Sequence, residues 1–264
     1  MGNQFSILRN QPINFKKYGW RPDKLDYRDH TDRIPKFINH SHSIDLRDKC
    51  PGIYNQGELG SCTANAIAAA YEFDEIKQNE NLLFIPSRLF IYYNEREKEN
   101  SVDIDSGAEI RDGIKSINKI GVCPETLWPY DISKFTVKPP PSCYDQAKKH
   151  QSVKYHRLNN SLDILKSCLE AGLPFVFGFA VYESFESEEV AKTGKMTMPN
   201  KNESLLGGHA VMAVGYNDDD RCFIIRNSWG IEWGDKGYFY MPYDFITSKK
   251  LCSDFWVIEI IRDD

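Results

Sequence analysis

Cys62 stands at the head of an alanine-rich run, six residues after Gln56 in Gln56-Gly57-Glu58-Leu59-Gly60-Ser61-Cys62. The residues that follow, Thr63-Ala64-Asn65-Ala66-Ile67-Ala68-Ala69-Ala70-Tyr71-Glu72-Phe73, have helical propensities, with Ala66, Ala70 and Phe73 recurring on one face. Cys62 then falls in the first turn. Unpaired backbone N–H groups and the positive end of the helix dipole favour a thiolate there. The dipole supplies only about 0.3–2 kcal/mol. Lowering a thiol from about 8.5 to the ~3–4 of histidine-paired cysteines takes about 6–7 kcal/mol. A helix alone is too weak, so a cationic partner is required.

Of six histidines, His30, His40, His42, His150 and His156 have polar sequence surroundings. His209 differs, lying in Leu206-Gly207-Gly208-His209-Ala210-Val211-Met212-Ala213-Val214, where two glycines permit close approach and an apolar run predicts a buried strand. Asn217 to Asp220 reads as a turn and Cys222 to Arg226 as the return strand, which brings Asn227 to the hairpin's open end. Asn227 is therefore placed to orient the His209 ring.

These blocks, with Asn227-Ser228-Trp229-Gly230 and Trp233-Gly234-Asp235-Lys236-Gly237-Tyr238, resemble the papain-like cysteine proteases over about residues 45–261. Cys62 and His209 are 147 residues apart and Cys62 and Asn227 165. The family range is about 130–150, so the second spacing is slightly long. Leu59 stands where a cysteine normally forms a disulfide, and Thr63 where an aromatic residue is usual. Neither change removes a catalytic atom.

The resemblance implies acyl transfer, with Cys62 attacking a peptide carbonyl, His209 as general acid and base, and Asn227 holding the imidazole. Gln56 and the Cys62 backbone N–H would meet the oxyanion, and Trp229 would shield the His209–Asn227 hydrogen bond. It also implies substrate contacts at Ser106, Gly107 and Gly208, with Ser253 or Asp254 at the base of the main specificity pocket, where an acid would favour a basic P2 residue. No paired-histidine insertion follows the nucleophile helix, so an endopeptidase is expected ahead of an exopeptidase. Two other classes remain open: an acyltransferase or transglutaminase-like enzyme, and an inactive protein that keeps the cleft to bind peptides.

The 264 residues, 41% hydrophobic with net charge −5, fit one globular enzyme rather than several domains. The Lys148-Lys149 and Lys249-Lys250 pairs are too short for a nucleic-acid surface. No segment approaches the ~18 apolar residues of a membrane span. Seven cysteines without a C-x-x-C pair indicate neither a zinc site nor a disulfide framework, so no metal or cofactor is expected, and a reducing, cytoplasmic setting fits. Cys123, Cys143, Cys168, Cys222 and Cys252 read as small buried hydrophobes. Residues 1–18 lack the apolar core of a signal peptide. Met1-Gly2-Asn3-Gln4-Phe5-Ser6 matches the N-myristoylation pattern, for which one chain gives only marginal membrane binding. A peptide or protein substrate and a monomer are expected. The abundance of lysine, asparagine and isoleucine hints at an AT-rich genome, viral or protist, and a virion-associated enzyme if viral.

Read coarsely, the chain is α+β. A helix follows Ser87, another carries Ile110, Ile114 and Ile117 with Gly121 as its stop, and a short one covers 161–169. Strands are expected at 174–181, 210–216, 222–226, 237–241 and 254–261. The resemblance implies a helical lobe at about 45–138, a mainly β, barrel-like lobe at 139–264, and the cleft between them. Residues 1–44 form an arm, too short for the long helical prosegment of lysosomal relatives. Phe15, Tyr18, Trp20 and Phe37 are its expected anchors on the body. A latch or short propeptide crossing the cleft is a further placement.

Overall fold

The structure is a computed structural model that describes residues 18–27, 29, 37, 39–78, 84–151 and 153–260. Gly2, Phe15 and His30 lie outside them.

The alanine-rich run forms α1 (Cys62–Lys77). It is buried on nearly all sides rather than on one face, because small side chains let it pack between the sheet and two further helices. Those are α2 (Arg88–Lys98) and α3 (Ile110–Ile120). Ser87 caps α2 by accepting the Phe90 N–H at 3.2 Å. On α3, Ile110, Ile114 and Ile117 are buried, and Gly121 ends the helix at φ 84°. After α4 (Pro141–Ala147) and β2 (Val153–Arg157), Ser161 caps α5 (Leu162–Glu170).

The chain then builds an antiparallel sheet from β3 (Phe175–Tyr182), β4 (Leu205–Asn217), β5 (Cys222–Arg226), β6 (Tyr238–Pro242) and β7 (Cys252–Ile260). The strand order is β2-β7-β3-β4-β5-β6. The early strand β1 (Ser43–Asp45) also joins it by pairing with β4. Every residue of β3 is buried, with Phe175, Phe177 and Phe179 in the core. The fold is the expected α+β arrangement, with the five strands read from the sequence displaced by only a few residues. β2 was not expected: its Lys154 is exposed but His156 is 2% exposed, so a polar-looking segment is an edge strand with one face in the core. No helix of the described residues is long and apolar enough to cross a membrane.

Candidate active site

Cys62 opens α1, which packs against β4, and the backbone N–H of Ala210 points at its sulfur. Ala210 follows His209, so the thiol lies against the strand that carries the imidazole although the two residues are far apart in sequence. His209 Nε2 and Asn227 Oδ1 are 2.7 Å apart and buried. The Ser228 N–H also donates to Asn227 Oδ1 at 2.8 Å, which identifies that atom as the acceptor. His209 Nε2 therefore carries a proton, and Nδ1 is the basic nitrogen of the neutral ring. Trp229 lies over the imidazole at 4.9 Å between centroids, and Phe179 meets it edge-on at 5.7 Å. These aromatic rings keep water from the His209–Asn227 bond.

Gln56 is held at both ends. Its Nε2 donates to the Leu59 carbonyl at 2.9 Å, and its Oε1 accepts from Ser228 Oγ at 2.6 Å. The Gln56 N–H donates to the Ser228 carbonyl at 2.8 Å, so the loop before the helix is paired with the segment carrying Asn227. Ser228 was not singled out in the sequence, where it reads only as a turn residue beside Asn227.

Leu59 is buried, and all seven cysteines are free thiols. The Thr63 hydroxyl donates to Glu95 Oε1 at 2.6 Å. Glu95 is fully buried, and desolvation raises its carboxyl to about 8.

The arm runs through the site. The Gly19 N–H points at Cys62 Sγ, and the Gly19 carbonyl accepts from the Ala108 N–H at 2.7 Å. The Trp20 N–H donates to the Gly208 carbonyl, and the Arg21 N–H to the Ala108 carbonyl, both at 3.0 Å. A Cβ on Gly19 would overlap the Gly60 carbonyl, and one on Gly107 the Gly19 carbonyl. The two backbones meet only because both residues are glycines. Tyr18 covers His209 at 6.1 Å and Trp229 at 6.0 Å. Of the expected anchors, Tyr18 and Trp20 are buried, whereas Phe37 is 41% exposed.

Under this cover the thiol is the reverse of the depressed one expected from the sequence. Burial pushes Cys62 up to about 12, the Glu95 charge adds to that, and the N–H groups of Ala210 and Gly19 only partly oppose it. In the closed arrangement the sulfur is a neutral thiol.

The wall residues also differ from the expected pattern. Backbone pairing with the arm falls on Ala108, while Gly107 supplies clearance and Ser106 Oγ turns to the Gly107 carbonyl at 3.0 Å. Ser253 pairs with Gly178 across β7 and β3. Asp254, at φ 59°, is buried and accepts from Arg157 at 2.8 Å and from the Asp23 N–H at 2.8 Å. Its oxygens already have partners, so it is not the open acid that a basic P2 residue would need. A cavity of about 540 Å³ lies elsewhere, between Arg47, Lys195, Tyr216 and Tyr240. A void of about 10 Å³ lies behind the site, beside Asn65, Ala210 and Asn227. Among the described residues no cluster of three metal-ligating side chains occurs.

A helix-borne cysteine beside a strand-borne histidine whose ring is fixed by an asparagine defines a thiol hydrolase of two-layered α+β build. The model of the papain family cysteine proteases matches residues 40–253, and the chain belongs to that family. It is a cysteine-type peptidase. An uncharacterised peptidase C1-like protein of Acanthamoeba polyphaga mimivirus is 55% identical over 217 residues, 79% of this chain and 70% of that protein. Cysteine proteinase 2 of Entamoeba histolytica is 30% identical over 212 residues, 77% of this chain and 64% of that one. Among solved structures, xylellain, a cysteine protease from Xylella fastidiosa, matches with a TM-score of 0.87 at 44% identity, covering 96% of this chain and 100% of that chain. The digestive procathepsin L 3 of Tenebrio molitor larval midgut shares the fold, with a TM-score of 0.70 at 16% identity.

Proposed function

We propose that the chain is an endopeptidase held latent by its own residues 18–29, with Cys62 as nucleophile. Once the arm leaves, the sulfur regains solvent, loses most of its desolvation penalty and can pass its proton to His209 Nδ1. The thiolate adds to a peptide carbonyl, and the oxyanion is met by the Gln56 amide and the Cys62 N–H. The C–N bond breaks as the imidazolium protonates the departing amine. Water, deprotonated by His209, then hydrolyses the thioester and restores the thiol.

The single observation that carries this reading is the 2.7 Å His209–Asn227 bond, made by the residue next to the one whose N–H is directed at Cys62. Endopeptidase action is favoured because a polypeptide passes straight across the sulfur, with Tyr18 beyond it on one side and Trp20 onward on the other. A site that closed off one chain end would not admit such a strand. A free catalytic thiol also fits work in a reducing compartment.

The test is labelling by a thiol-directed epoxide, followed by intact mass and by product analysis on an unfolded protein substrate. Stoichiometric labelling that disappears in Cys62→Ala, with internal fragments as products, is expected. Retained labelling and hydrolysis in Cys62→Ala would place the nucleophile elsewhere, and stepwise loss of single residues would make the enzyme an exopeptidase.

A further inference from the structure

Trp20 is 2% exposed, and much of what surrounds its ring is bare backbone. A Cβ on Gly178 would fall inside the indole, and one on Gly208 would lie 2.7 Å from it. The ring thus fills a slot that exists because β3 and β4 each place a glycine there. Ser253 pairs with Gly178 at the slot's edge, and the strand irregularity beyond it turns Asp254 inward. Burial raises the Asp254 carboxyl above the usual carboxylate range, and the Asp23 N–H, Arg157, Ser253 and the Trp20 side chain partly oppose that.

The position of the slot along a substrate follows from the contacts around the sulfur. Gly19 lies over Cys62, and Tyr18 lies over His209 and Trp229. His209 serves the departing amine, so Tyr18 marks the leaving-group side and Trp20 the acyl side. With one residue over the sulfur, the slot receives the second residue on the acyl side of the scissile bond. We propose that this slot is built for tryptophan, so that the enzyme prefers substrates whose second acyl-side residue carries an indole directed at Asp254. This inference rests on the peptidase reading above.

Other side chains fit the slot less well. Leucine leaves much of its volume empty. Phenylalanine fills it better but brings no N–H for the buried carboxylate, and a site that has lost a hydrogen-bond partner discriminates strongly. Lysine or arginine would enter a pocket whose acid already holds Arg157 at 2.8 Å. Asp23 and Asp29 belong to the arm and leave with it, which removes the 3.0 Å Asp29 partner of Arg157. Asp254 keeps Arg157, and Glu109 keeps Arg111 at 3.7 Å, so the acid facing the slot stays paired and a further cation would have to displace Arg157.

The experiment uses the full chain carrying Trp20→Ala, which empties the slot, and has two readouts. In the first, binding of N-acetyltryptophanamide is compared with that of the leucine and arginine analogues by thermal shift and calorimetry. Tryptophan amide should bind at least tenfold tighter, and adding Gly178→Val should remove that margin. In the second, kcat/KM is measured on fluorogenic peptides that differ only at the second acyl-side residue. Tryptophan should lead leucine and arginine at least tenfold, and Gly178→Val should reverse the order against leucine. Equal binding of the three amides, indifference to Gly178→Val, or leucine or arginine matching tryptophan in kcat/KM would overturn the proposal. If no peptide in any series is cleaved, the peptidase reading fails, and the amide titration still decides the slot. Should Trp20→Ala not fold, Trp20→Leu keeps an apolar anchor that fills only part of the slot, and the kcat/KM series on that variant then decides.

Discussion

Residues 18–20 and residues 21–27 with Asp29 lie against surfaces of different character. The first three meet mainly rings and bare backbone: the His209 and Trp229 rings, the Cys62 thiol, and the glycine slot of Gly178 and Gly208, with carboxylates only at the margins, where the Tyr18 hydroxyl donates to Glu186 and the Trp20 indole faces Asp254. The rest meets a lattice of charge. Arg21 pairs with Glu99, Lys115 with Asp26 at 3.6 Å, and Asp29 bridges Arg111 and Arg157 at 3.2 and 3.0 Å. Asp23 accepts from the Arg111 N–H at 3.1 Å and from Trp256 Nε1 at 2.9 Å, while its own N–H donates to Asp254. This first half holds mainly by shape, and its strength should vary less with salt and pH than that of the second. The charged half adds direction, and its strength depends on protonation and ionic strength.

The sharpest way to break this contrast is Trp20→Ala. Truncating a buried tryptophan costs about 3–5 kcal/mol, so the open fraction should rise on the order of 10²- to 10³-fold. The initial rate of epoxide labelling of Cys62 checks it, and an unchanged rate would move the latch out of the first half. Gln56→Ala, measured on opened enzyme, should lower kcat about 100- to 1000-fold while the thermal midpoint stays within a few degrees. Turnover equal to that of the parent would remove Gln56 from the mechanism.

The charged half should respond to pH in a defined direction. Burial, and next the Asp254 charge, raise the Asp23 carboxyl well above the usual carboxylate range, and burial also raises Asp254. A carboxyl raised in the docked arm supports docking fully below its ordinary value, and that contribution is lost as pH rises through the docked value. The arm should therefore hold tighter in acid and loosen toward neutrality. Hydrogen-exchange protection of the Trp20 and Arg21 amides in Cys62→Ala, corrected for intrinsic exchange, should decline several-fold over that range. Asp23→Asn should flatten the decline, and protection that climbs with pH would reverse the assignment. The smallest effect belongs to Lys24, whose Nζ is 3.8 Å from Glu109 with its side chain 79% exposed. Lys24→Ala should change docking by no more than about 0.5 kcal/mol, and only at low salt.

Most of the strands and helices were legible because their signals are local. Ser87 and Ser161 announce helix starts, Gly121 a stop, and the apolar runs at 175–182 and 205–217 buried strands. The candidate catalytic groups were legible for the same reason, each lying in a short block of characteristic composition. Ser228 and Ala108 escaped notice because their roles are set by what lies opposite them, Gln56 in one case and Gly19 in the other. Asp254 was read as an open acid because its partner Arg157 lies 97 residues away. The ionisation of Cys62 could not be read from its helix position, since it turns on whether another segment excludes water from the sulfur.

By itself the sequence determined which atoms are present to do chemistry and which local elements carry them: a helix start, a glycine-bordered strand and a hairpin end, each specified within about ten residues. Only the tertiary structure decided that the arm crosses the thiol, that two glycines open a slot the size of an indole, and that Asp23 sits against Asp254 and Trp256, 231 and 233 residues further on. Contacts over such separations leave no periodic trace in the chain, because they are selected by the packing of whole surfaces rather than by the conformational preferences of neighbouring residues.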